Sequence, residues 1–118
     1  MINENETLNI DAIWSSDFYY FLGFGGKGIL VFSSGQAFGG DSHHTYSGKY
    51  EFLNEFLYVT IKVLQYTQEP ISELAKYKEH TIVLKGKPNN YEFEMFGYLE
   101  GLPDPVMKTT LVRRAELK

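Results

Sequence analysis

The chain has 118 residues, the size of one domain, and its 43% apolar and 22% charged residues exclude intrinsic disorder and collagen-like repeats. Fifteen acidic against 11 basic residues give a net charge of −4, without the basic footprint that direct nucleic-acid binding needs. The absence of Cys excludes disulfides, thiolate chemistry and cysteine-ligated metal, and no apolar run approaches the ~18 residues of a membrane-spanning helix.

Residues 1–9 read as a flexible N-terminal segment ahead of a single domain. Its start, Met1-Ile2-Asn3-Glu4-Asn5-Glu6, is acidic where a signal peptide is basic and then apolar, so cytoplasm is the expected location. From there a rhythm of short aromatic and β-branched runs sets in, at 12–22, 28–32, 36–39, 44–50, 56–66, 80–84, 91–98 and 107–115. Nine Tyr, nine Phe and one Trp supply that bias, which favours strands. Links rich in Gly, Asn, Ser or Pro close most of the runs, including Phe24-Gly25-Gly26-Lys27, Ser33-Ser34-Gly35 and Asn54-Glu55.

Period two is clearest in the fifth run, where Leu57, Val59, Ile61 and Val63 share one face. In the seventh, Phe93 and Met95 oppose Glu92 and Glu94. One buried and one wet face is the pattern of an antiparallel sheet. The only helical candidate is a turn or two at 71–77, after Pro70. Links this short leave no room for parallel crossovers, so about eight antiparallel strands must close into a barrel or stack as a sandwich. The sequential hairpins favour a single all-β meander closing into an up-and-down barrel. Leu57, Val59, Ile61, Val63, Phe93 and Met95 are its expected interior.

Motifs with chemical potential are few. Gly23-Phe24-Gly25-Gly26-Lys27-Gly28 has the glycines of a phosphate loop, but the strand Ile29-Leu30-Val31-Phe32 follows where a helix would be needed, so it reads as a hairpin. Asp41, His43 and His44 are the densest group of metal-ligand types. Adjacent histidines on a strand point to opposite faces, so no metal site and no cofactor is expected there. Nor does the sequence show a nucleophile elbow or a carboxylate pair; an enzyme would require His44, His80 and an acid to converge in a cleft. Ala12-Ile13-Trp14 resembles the Gly-x-Trp start of calycin barrels, with Ala in place of Gly. That resemblance implies a barrel end where a basic side chain of the last strand covers the indole, and Trp14 is expected in contact with Arg113 or Arg114.

A longer series runs through Gly28-Ile29-Leu30-Val31-Phe32, Gly39-Gly40-Asp41-Ser42, Tyr46-Ser47-Gly48, Val59-Thr60-Ile61-Lys62-Val63, Phe96-Gly97 and Leu111-Val112-Arg113-Arg114. Together these resemble the GrlR family of small bacterial proteins, whose namesake is a negative regulator of type III secretion. In the Gly39-Gly40-Asp41-Ser42 motif the glycines are expected to permit a tight turn and Asp41 to cap amides there. The resemblance implies a homodimeric, lipocalin-like barrel with an apolar interior, acting by protein–protein interaction: the family's regulator binds and masks a transcriptional activator through an acidic loop. The matching segment here is Glu51-Phe52-Leu53-Asn54-Glu55, with two acids in place of a nearly continuous acidic run. Two functions are therefore expected: a non-enzymatic regulatory protein with a protein partner, or a binder of a small apolar ligand inside the barrel.

Overall fold

Eight strands pair in the order in which the chain makes them, and the last returns to the first. In the computed structural model, which describes residues 7–67 and 79–117, they are β1 (Ala12–Tyr20), β2 (Phe24–Ser33), β3 (Gln36–Asp41), β4 (His44–Leu53), β5 (Phe56–Gln65), β6 (Glu79–Gly86), β7 (Glu92–Leu99) and β8 (Pro105–Ala115). All neighbours are antiparallel and β1 pairs with both β2 and β8, so the sheet is a closed barrel with no free edge. The fold is the all-β meander that the spacing of the runs predicts. The helical turn expected at 71–77 lies outside the described residues, as do 1–6 of the N-terminal segment. Among the described residues no helix is long and apolar enough to cross a membrane.

Alternation along each strand decides what the barrel encloses. On β5 the side chains of Leu57, Val59, Ile61 and Val63 are buried while Lys62 and Leu64 face out; on β7 Phe93 and Met95 are buried while Glu92, Glu94 and Phe96 face out. All six residues expected inside are inside. Between β2 and β3 the Ser34-Gly35 link has positive φ at both residues, 49° and 86°, the primed turn whose twist matches the strands it joins.

Two links differ from the sequence reading. β2 begins at Phe24, not Gly28, so Phe24-Gly25-Gly26-Lys27 is strand, paired with 17–20 of β1. A Cβ at Gly26 would stand 2.8 Å from the Phe18 ring, so these glycines make way for a neighbour and do not form a loop. β3 likewise runs on through Gly39-Gly40-Asp41, and the link to β4 is Ser42-His43. Gly39 is needed because a Cβ there would overlap the Ile29 carbonyl on β2, not because the chain turns.

One end of the barrel is shut by packing. Trp14 is fully buried, edge-on to Phe93 at 5.1 Å and to Phe32 at 6.4 Å between centroids, and its Nε1 donates to the Ile10 carbonyl at 2.8 Å. Residues 7–10 lie across this end: Asn9 N donates to Asn90 Oδ1 at 2.8 Å and Asn90 Nδ2 to the Thr7 carbonyl at 2.9 Å. The Arg113 guanidinium stands 5.7 Å from the Trp14 ring centroid, donates to the Asn9 carbonyl at 2.8 Å and forms a two-point ion pair with Glu116. The β1–β8 register slips between Ile13 and Trp14, leaving Arg114 as the extra residue; it turns instead to Ser15 Oγ, 2.8 Å away.

Candidate functional site

The other end is hollow. A cavity of about 340 Å³, open to solvent, lies between an apolar floor that includes Leu30, Ile61, Ile82, Leu84 and Met107 and a rim that includes Tyr20, Phe24, Asp41, His43, His44 and His80. Its origin is local. The inward positions of β2 that continue from Leu30 are Gly28 and Gly26, which bring no side chain into the lumen, and Gly25 and Gly26 line the cavity. The Phe18 ring reaches over Gly26 and the Tyr46 hydroxyl over Gly28, where a Cβ would stand 3.2 Å from it.

Several polar groups in the wall bond to one another. Thr109 Oγ1 reaches the Asp17 carbonyl at 3.3 Å, so the buried Ser16 hydroxyl is the donor in the 2.7 Å bond between Ser16 and Thr109. Asp41 is the hub of the rim. Its Oδ1 accepts from the backbone N–H of His43 and of His44, both at 2.8 Å, and from His44 Nδ1 at 3.0 Å; its Oδ2 accepts from the Tyr46 hydroxyl. The amide capping expected of Asp41 is therefore what its carboxylate does. Burial alone would raise this carboxyl, but the hydrogen bonds from His44, Tyr46 and the His43 amide, with the His44 charge, outweigh it and hold it at about 2. Burial and then the Asp41 charge push the Tyr20 hydroxyl up to about 12; burial, the hydrogen bond to Asp41 and its charge push Tyr46 up as well. His43 Nδ1 lies 3.2 Å from Thr67 Oγ1.

The residues singled out in the sequence fall in four places. Trp14 and Arg113 meet at the closed end. Gly39, Gly40, Asp41 and Ser42 are at the open end, where Asp41 and Ser42 line the cavity together with Ile61 and Val63. Leu57, Val59, Phe93 and Met95 fill the packed half. Glu51, Phe52, Leu53, Asn54 and Glu55 belong to the β4–β5 hairpin, which projects beyond its neighbour: pairing of β3 with β4 stops at Gln36 and Lys49, and every residue from Glu51 to Phe56 is exposed. Phe52, Leu53 and Phe56 keep 47%, 58% and 39% of their surface in solvent and sit together at this tip. The fold also brings His80 of β6 to the same cavity as His44 and Asp41, which sequence separation conceals. Among the described residues no three His, Asp or Glu side chains are grouped to hold a metal ion.

No protein-family model matches the chain, and no curated protein matches it in sequence.

Proposed function

We propose that the protein is a non-enzymatic binding protein that takes a small, largely apolar ligand into the open half of its barrel. The observation that carries this reading is the 340 Å³ cavity floored by aliphatic side chains, which falls in the size range of small-molecule sites. An eight-stranded barrel has room for its own side chains or for one small ligand, and here Gly25 and Gly26 of β2, which line the cavity, leave the second option open. A hydrolytic reading has less support. The Ser16 and Thr109 hydroxyls are bonded to each other and not to an imidazole, so neither is set up as a nucleophile for the Asp41–His44 pair.

The test is titration with the fluorescent apolar probe N-phenyl-1-naphthylamine. One saturable site per chain is expected, abolished by Ile61→Trp, which fills the floor. Absence of saturable binding, or binding indifferent to that substitution, would sink the reading.

A second reading rests on the projecting β4–β5 hairpin. Exposed Phe52, Leu53 and Phe56, flanked by Glu51 and Glu55, make a small apolar tip with an acidic border suited to a protein partner. This is the segment that the GrlR resemblance assigns to partner binding, and it supports a regulatory protein, cytoplasmic and homodimeric, that acts on a partner such as a transcriptional activator. Native mass spectrometry of protein recovered from its own cells distinguishes the two: a second polypeptide lost on Phe52→Ser and Leu53→Ser supports regulation, and a small retained mass supports the cavity.

A further inference from the structure

The cavity is apolar below and basic above. All three histidines of the chain, His43, His44 and His80, line it, with Lys27 at its edge, although the protein as a whole carries a net charge of −4. Among the described residues the other titratable groups on the wall are Tyr20, Asp41 and Tyr46. Both phenols are held neutral through the physiological range, and Asp41 is the one acid among those described residues, its oxygens occupied by two amides, the His44 imidazole and the Tyr46 hydroxyl. From β5 and β8 the wall receives Ile61, Val63, Met107 and Thr109, none of them charged.

His44 is the pivot. Its Nδ1 is bonded to Asp41 Oδ1, which fixes the Nδ1–H tautomer and leaves Nε2 as the ring nitrogen open to a ligand. With Nδ1–H given to Asp41, Nε2 pairs with an anion only as part of an imidazolium, which is a donor on both sides. A ligand ending in a carboxylate completes the series Asp41 carboxylate, His44 imidazolium, ligand carboxylate. At about 30 Å³ per heavy atom, water's share of liquid volume, 340 Å³ holds roughly ten non-hydrogen atoms.

Resting on the cavity reading above, we propose that the ligand is a medium-chain amphiphile with a carboxylic acid head, its chain on the Leu30–Ile61–Leu84 floor and its head paired with His44 Nε2. A carboxylate entering the site with neutral His44 draws one proton from solvent onto Nε2, so binding is proton-linked. An alkyl carboxyl titrates near the value of about 4.3 for glutamate, so above pH 6 the linkage belongs to the protein.

The test is isothermal titration calorimetry of the full chain with octanoic acid and with octan-1-ol, at pH 6 and pH 8, each in two buffers of different ionisation enthalpy. Octanoic acid is expected to bind at least about fivefold more tightly at pH 6, with heats at pH 8 that reveal proton uptake, while octan-1-ol shows neither effect. His44→Gln, its fold checked by near-ultraviolet circular dichroism, should erase the pH dependence. Equal, pH-independent binding of acid and alcohol would overturn the carboxylate head and leave the apolar cavity standing. Failure of both to bind would overturn the cavity reading itself, and a pH dependence that survives His44→Gln would overturn the role given to His44.

Discussion

The two ends of the barrel are built from the same strands and follow opposite rules. At the closed end an inward aromatic on β1, Trp14, meets aromatics from β2 and β7 and a cation from β8, which together plug the lumen. Four residues further along β1, Phe18 meets glycine on β2, and the lumen stays empty. Each end also has an Asp–Tyr pair, Asp11 with Tyr50 and Asp41 with Tyr46. The first ties the Ser34 turn to the chain's entry into β1; the second sits in the wall of a cavity beside a histidine. The comparison teaches that packing and open volume are divided along the barrel axis, with the packed half supporting an end free to be hollow.

Breaking the closed end should cost most. Trp14→Ala removes a fully buried ring and the stacking surface for Arg113, and a loss of about 3–5 kcal/mol in urea unfolding is expected. A smaller loss would mean that residues 7–10 and Arg113 collapse into the gap. The Asp41 hub comes next and has a pH signature. Its carboxyl is held near 2 in the fold against 3.8 for the free side chain, so its contribution is complete above about pH 4 and lost as the pH falls through 2. Asp41→Asn should therefore cost roughly 2 kcal/mol at neutral pH and flatten the acid limb of stability measured from pH 5 to 2. Equal acid limbs in both proteins would place the acid sensitivity elsewhere. Phe18→Ala, half-buried over the cavity, should cost only about 1 kcal/mol in the same assay while enlarging the site for N-phenyl-1-naphthylamine. A loss as large as that of Trp14→Ala would show the open end to be packed in solution.

The strand count, the meander and the faces of β5 and β7 are legible in the sequence because each follows from a local period, two residues long, and from short links. Contact between Trp14 and one of the paired arginines could be anticipated from a motif and from the chemistry of an indole. The cavity could not. It is lined by Gly25 and Gly26 of β2, with Gly26 at an inward position, and parity along β2 is fixed only by register with β1 and β3. In the sequence those glycines look like turns, since glycine's freedom in loops and its small size in strands leave the same letter. The meeting of His44 with His80 is equally hidden, because it needs β4 and β6 to flank β5 in one wall.

Pairing in strict sequence order has a further consequence for how the molecule could be cut. Seven of the eight seams join strands adjacent in the chain, and the eighth, β1 with β8, sets Ile13 beside Ala115. In connectivity the barrel is a ring that happens to be opened between those two strands. A circular permutant that bridges them by a short linker and opens instead at the Ser34-Gly35 turn would keep every seam, while moving the one long-range closure from β1–β8 to β2–β3. The slow step of folding should move with it, from one side of the barrel to the other, with the cavity unchanged.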